Sequence, residues 1–198
     1  YSDGETVWGP NHGVIASGLT GDQSATMSAY FVPNPINDKQ VYLFTTSIID
    51  NTPGAENPGG HFYIIDFSSN PEGELIDNLE GSPLQENSTE KILAIPFGTE
   101  KVEETGINGY WIITHEFDNW IFNVFTLTDQ IRFVDQFTAG TGHQNEGPDA
   151  GNKGAAGYMV ASIAGNKIGV AIAGQKMFEV FRFNNNTGQI NLQARLPA

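Results

Sequence analysis

Few side chains in this sequence could do acid–base, metal or nucleophilic chemistry, and they are scattered. There is no cysteine, which removes thiolate ligands, thiol nucleophiles and disulfides together. The histidines are His12, His61, His115 and His143. Three of them meeting at one mouth of a ring-shaped fold would make a zinc site, but they are widely separated and lack tight ligand spacing. His115-Glu116-Phe117-Asp118-Asn119 stops short of a His-Glu-x-x-His helix. His115 therefore reads as a strand-end histidine bonded to a neighbouring unit. There is no Gly-x-Ser-x-Gly elbow, phosphate loop or EF-hand loop. Neither a catalytic residue nor a metal centre is expected.

Two places carry binding chemistry. Residues 140–154 are long, glycine-rich and polar. His143, Glu146, Asp149 and Asn152 are the candidates there, and the three oxygen-bearing side chains make it the place for calcium if any ion binds. The ordinary reading is a surface loop joining two units. Its glycines do not lead from a strand into a helix, so a phosphate cradle is excluded. Trp120 is the other candidate. Asp118-Asn119-Trp120 reads as a hairpin tip, where an indole can stack on a sugar or meet a partner. Trp8, Trp111, Tyr42, Tyr63 and Tyr110 read as packing. Glu103-Glu104, adjacent in a polar stretch, does not make an acid–base pair.

The elements that must position these residues repeat. Phe62-Tyr63-Ile64-Ile65-Asp66-Phe67, Phe122-Asn123-Val124-Phe125-Thr126-Leu127 and Phe178-Glu179-Val180-Phe181-Arg182-Phe183 share one pattern. Each follows another β-branched, aromatic run, starting at Val41, Tyr110 and Lys167, and earlier runs start at Ala29, Ile92 and Gly157. Weaker runs follow at Glu74, Ile131 and Ile190. Pro33-Asn34-Pro35, Asn70-Pro71-Glu72-Gly73, Gly165-Asn166 and Asn186-Thr187-Gly188 are turn signals between them. No segment has a sustained helical period. Four short strands per repeat predict an all-β propeller of WD40-like four-stranded antiparallel blades. Residues 1–20 read as the end of a blade, and 24–80, 88–138 and 154–196 as three blades. That is about three and a quarter blades of a larger ring, so this stretch is expected to be an incomplete folding unit with an apolar face at one or both ends.

Composition narrows the partners. The 198 residues carry 9 Lys plus Arg against 23 Asp plus Glu, a net charge of −14. Such a chain repels phosphate backbones, so no nucleic-acid partner is expected. It also lacks basic clusters for anionic lipid, and no apolar run approaches the length of a membrane span.

Several stretches together resemble a known family. Tyr1-Ser2-Asp3-Gly4-Glu5-Thr6-Val7-Trp8 with Asn11-His12, Ser24-Ala25-Thr26, Val32-Pro33-Asn34-Pro35, Tyr42-Leu43-Phe44-Thr45, Tyr110-Trp111-Ile112-Ile113-Thr114-His115 and Gly157-Tyr158-Met159 followed by Lys167-Ile168-Gly169-Val170-Ala171 carry the likeness. In this order they resemble the N-terminal β-propeller region of large secreted or surface proteins of Bacteroidetes. Those proteins often end in a gliding-motility-associated (type IX secretion, type B) sorting domain. The resemblance spans nearly the whole chain. It departs at Ala164-Gly165-Asn166, where the family has a Pro-Asp-Gly turn, and at the longer polar stretch 98–108. It implies an extracellular or outer-surface location and assigns no catalytic residue.

The leading expectation is a non-enzymatic, adhesion-type propeller that binds protein or glycan within a larger secreted protein, alongside other segments of the same ring. The alternatives are a propeller-fold glycan-active hydrolase or lyase, or a β-sandwich carbohydrate-binding module. The enzyme needs carboxylates near the central axis, and the inner runs carry almost none.

Overall fold

A computed structural model describes residues 1–49, 58–76, 81–143 and 154–197. They form β1 (Thr6–Trp8), β2 (Val14–Ser17), β3 (Ala29–Pro33), β4 (Gln40–Thr46), β5 (Gly60–Asp66), β6 (Glu74–Leu75), β7 (Ser82–Gln85) and β8 (Ser88–Pro96). After a short helix α1 (Thr99–Thr105) come β9 (Tyr110–Glu116), β10 (Ile121–Leu127), β11 (Ile131–Thr138), β12 (Met159–Ala161), β13 (Lys167–Ile172), β14 (Met177–Phe183) and β15 (Ile190–Pro197). The fold is all-β, and the named strands pair antiparallel. β1 and β2 make a two-stranded sheet. The first large sheet runs β3-β4-β5-β6, with β7 also on β5; the second runs β8-β9-β10-β11 and the third β12-β13-β14-β15.

The strands follow from the sequence. Runs such as Val41-Tyr42-Leu43-Phe44 are β-branched and aromatic, which suits a pleated surface. The turn chemistry holds as well: Gly73 and Gly188 adopt φ of 90° and 79°, a region open to glycine and costly for other residues. Helix α1 departs from the expectation of an all-strand chain. Its Glu and Lys residues favour helix, and it ends at Gly106 in the left-handed region, φ 69°. It stays because it caps the core: Val102 packs against the buried cluster and the Lys101 ammonium sits 5.6 Å from the Trp111 ring centroid.

Packing places the sheets in series. Between the first and second sheets lie Val32, Tyr42, Phe44, Ile92, Ile112, Phe125 and Leu127. Between the second and third lie Leu93, Ile95, Trp111, Ile113, Phe122, Val124, Met159, Ile168, Val170 and Phe181. Alternate residues of β8, β9 and β10 thus face opposite neighbours, and both faces of the second sheet are buried. A two-sheet sandwich has no such middle sheet. The outer strands β11 and β15 are largely exposed.

Phe62, Phe122 and Phe178 differ in environment. Phe122 is fully buried, while Phe178 is 51% exposed beside Tyr158 and Val160 on the side of the third sheet that turns away from the second. The inner edge strands β3, β8 and β12 lie side by side, and a groove of about 550 Å³ runs between them, lined by Tyr30, Ala94, Met159 and their neighbours. No helix among the described residues is long and apolar enough to cross a membrane.

Candidate functional site

Most of the polar residues that the fold buries gather at one end of the sheets, though Thr126 and Thr128 are buried toward the other. Antiparallel pairing brings the start of β8 beside the end of β9 and the start of β10, and the start of β3 beside the end of β4. At this end Thr45, Thr46, Ser88, Thr89, Glu90, Lys91, Thr114, His115 and His143 are buried. The opposite ends of the same strands carry apolar cores and solvated turns.

An irregularity in β8 positions the charged pair. Ser88 pairs with Glu116 and Ile92 with Thr114, so Thr89, Glu90 and Lys91 stand against His115 alone. The extra residues bulge, and a bulge re-aims side chains. The Glu90 Oε2 accepts from the Thr26 amide and hydroxyl, both at 2.7 Å. The Thr26 hydroxyl in turn accepts from the Gly157 amide at 3.1 Å. One carboxylate thereby links the starts of β3 and β8 to the approach to β12. The Lys91 ammonium donates to the carbonyls of Ala155 and Ala156, the second at 3.1 Å. Burial pushes Lys91 down to about 7, opposed by the Glu90 charge.

Two imidazoles complete the cluster. His115 and His143 stack with ring centroids 3.6 Å apart and planes 13° from parallel, and Phe122 meets His115 edge-on at 4.5 Å. The His115 Nδ1 lies 2.6 Å from the Glu116 carbonyl, so this nitrogen carries the proton and Nε2 is left as an acceptor. That Nε2 and both nitrogens of His143 have no partner among the described residues, nor do Thr89 Oγ1 and Gln85 Nε2. Buried polar atoms are almost always met by something, so each of these calls for a partner beyond the described residues. Burial first, then the nearby Lys91 charge, pushes His115 down to about 3. Burial, His115 and Lys91 hold His143 well below the usual imidazole range. Both rings are neutral at physiological pH. Parallel stacked rings send their lone pairs in parallel planes, so the pair cannot close on one metal ion at the roughly 2 Å that coordination needs.

These positions correct three readings. His143 is wholly buried rather than part of a surface loop, because Phe117 and His143 form a parallel bridge that draws the chain inward. His115 bonds its own strand's Glu116 carbonyl and stacks on His143, and makes no hydrogen bond to a neighbouring unit among the described residues. The inner runs, expected to carry almost no carboxylates, gain a buried one, Glu90, beside buried Lys91 where β8 opens. Sequence reasoning passed over them as a polar lead-in to Ile92-Leu93-Ala94-Ile95. The available signal was that Ser-Thr-Glu-Lys joins that run without a turn residue.

Trp120 stands where the sequence puts it, at the β9–β10 hairpin tip, 53% exposed. The tip is held by Asp118 at φ 62° and by the Ile121 amide donating to Asn119 Oδ1 at 2.8 Å. A Cβ on Gly142 would lie 3.0 Å from the Trp120 Nε1, so the indole rests on the residue preceding His143. The His143 amide donates to the Asn119 carbonyl at 3.3 Å. The structure thus brings Trp120 and His143 together. Glu146, Asp149 and Asn152, with the calcium reading attached to them, lie outside the described residues. Nearby, buried Glu179 accepts from the Thr141 hydroxyl at 2.7 Å and from Arg195 Nε at 2.8 Å, fixing the chain that leads to His143.

No protein-family profile matches the sequence, and no curated protein matches it. Solved structures do match in shape. A provisionally assigned 6-phosphogluconolactonase from Bacteroides fragilis is 14% identical, with a TM-score of 0.54 over 100% of this chain and 53% of its own. Another from Bacteroides uniformis is 13% identical, with a TM-score of 0.51 over 98% of this chain and 50% of its own. A periplasmic gluconolactonase from Pseudomonas aeruginosa overlaps less, with a TM-score of 0.41 and 11% identity over 94% of this chain and 60% of its own. The chain spans about half the length of the first two. At this identity the likeness establishes a shared propeller-like fold. It also overturns the expectation of a non-enzymatic, adhesion-type module. That reading rested on the fold being a binding scaffold and on inner runs with almost no carboxylates, whereas the fold's neighbours bear hydrolase names and the inner strand β8 opens on buried Glu90 beside Lys91.

Proposed function

We propose that these sheets belong to a closed propeller that hydrolyses a sugar lactone or closely related sugar ester, and that the buried polar end is its active mouth. The observation that carries the reading is Lys91, buried at the start of an inner strand beside two imidazoles with unpartnered nitrogens. Opening a lactone needs a group that takes a proton from water, with an affinity near the working pH. Lys91, held at about 7, meets that need. Two of its hydrogens are committed to the Ala155 and Ala156 carbonyls, so deprotonation leaves its lone pair free. The neutral amine takes a proton from water as the oxygen attacks the carbonyl carbon. The ring C–O bond then breaks, and the same proton passes to the departing alkoxide. The His115 and His143 nitrogens orient the water; as bases they are too weak at neutral pH.

Ring closure in this reading rests on the stacked sheets, on the shared fold, and on the exposed side of the third sheet at Phe178. An extracellular or outer-surface setting rests on the sequence resemblance, and surface labelling of intact cells tests it. The catalytic test is proton release from glucono-δ-lactone with the purified protein. A rate above buffer that rises through about pH 7 and disappears in Lys91→Met supports the reading. No acceleration, or full activity in Lys91→Met, overturns it.

A further inference from the structure

We propose, on the reading that this end opens sugar lactones, that its substrate is an uncharged sugar ring laid against Trp120 and not a sugar phosphate. Two independent features lead there. The first is the indole itself. Trp120 is 53% exposed, yet its backbone is pinned on both sides: the Ala139 amide donates to its carbonyl at 2.9 Å, and the His143 amide donates to the carbonyl of Asn119 beside it at 3.3 Å. A fixed, exposed aromatic face resting on Gly142, one residue from the buried imidazoles, suits the C–H face of a pyranose. It gains that contact at little entropic cost.

The second is charge. Acidic groups populate this end. Asp22 donates its amide to the Thr46 carbonyl at 3.2 Å, Glu86 lies in the turn before β8, and Glu116 and Asp118 flank the hairpin tip. The cations described there are already engaged. Lys91 is bonded to two carbonyls, and Arg195 is bonded to Glu179 and to the Gly140 carbonyl at 2.8 Å. Lys176 lies by Phe178, on the side of the third sheet turned away from the second. A phosphate dianion would enter a negative field with no free cation to receive it among the described residues, in a chain of net charge −14. Sugar hydroxyls have no such difficulty, and they can donate hydrogen bonds to carboxylates such as Asp118.

The test compares glucono-δ-lactone with 6-phosphoglucono-δ-lactone at low ionic strength, using the same protein and proton release as the readout. The expected result is a kcat/KM at least roughly tenfold higher for the uncharged lactone, narrowing as salt screens the field. Trp120→Ala should raise KM for the uncharged lactone by about three- to tenfold with kcat retained, and Trp120→Phe should restore most of it. Faster turnover of the phosphorylated lactone overturns this inference and leaves the lactonase reading standing. Turnover of neither overturns both. An unchanged KM in Trp120→Ala removes the platform.

Discussion

His115 and His143 stack face to face in the interior, with ring centroids 3.6 Å apart, next to a buried lysine. Because burial depresses both imidazoles, the unfolded chain binds protons below about pH 6.5 that the native protein refuses. Stability from this pair is complete above 6.5 and is lost as the pH falls from there toward about 3, where His115 titrates in the fold. The groups facing the pair are Lys91, which adds repulsion once a ring is charged, and apolar Phe122. We expect the histidine pair to add no slope to urea midpoints from pH 7 to 8 and to make them fall steeply below pH 6. His115 alone should account for a loss of roughly 3 kcal/mol by pH 4, and His143 adds to it. His143→Gln should weaken that slope; an identical slope in the variant would refute the assignment.

Lys91 shifts stability on the alkaline side. Its ammonium is opposed by burial, so the unfolded chain holds a proton between about pH 7 and 10.5 that the native protein has released. Stability therefore rises with pH over that window. Lys91→Met, which fills the same space without a charge, should flatten the rise. Denaturation series at pH 7, 8.5 and 10 measure it, and a variant as pH-dependent as the parent would count against a depressed lysine.

Phe122 and Phe178 test the packing. Phe122 meets Phe181 edge-on at 4.9 Å and is fully buried. Phe122→Ala should cost about 3–5 kcal/mol. Phe178→Ala, at a half-exposed position, should cost less than about 1 kcal/mol in the same chain. Equal costs would mean that something covers Phe178 in solution.

Gly157 tests the link between sheets. It sits at φ 124°, and a Cβ there would collide with the Ala171 carbonyl oxygen, while its amide serves the Thr26 hydroxyl that binds Glu90. Gly157→Ala should destabilise by more than about 2 kcal/mol and lower catalytic turnover by displacing the start of β12. Thermal melting and the lactone assay read the two effects separately, and a neutral substitution would show that the backbone there is free to shift.

Much of the architecture was legible locally. Runs such as Tyr110-Trp111-Ile112-Ile113 declare strands because side-chain type and alternation act within a few residues, and Gly73 or Gly188 declare turns because so few residues accept positive φ. The repeat of four runs pointed to four-stranded sheets, and Asp118-Asn119-Trp120 to an exposed tip. Helix α1 escaped because its reason for existing, the cover it lays over Trp111, is a contact between distant residues.

The site belongs to tertiary structure. Glu90 and Lys91 look like ordinary solvated charges until a bulge in β8 turns them toward residues of the neighbouring sheets. His143 sits in a stretch with every local mark of a loop, and only its bridge to Phe117 carries it against His115. Phe122 and Phe178 begin nearly the same local pattern, yet one is buried and the other half exposed. Sequence determines which side of a strand a residue takes, because that alternation is built into the chain. What meets that side, and hence whether a charge is buried or a ring finds a partner, depends on which sheet stacks there.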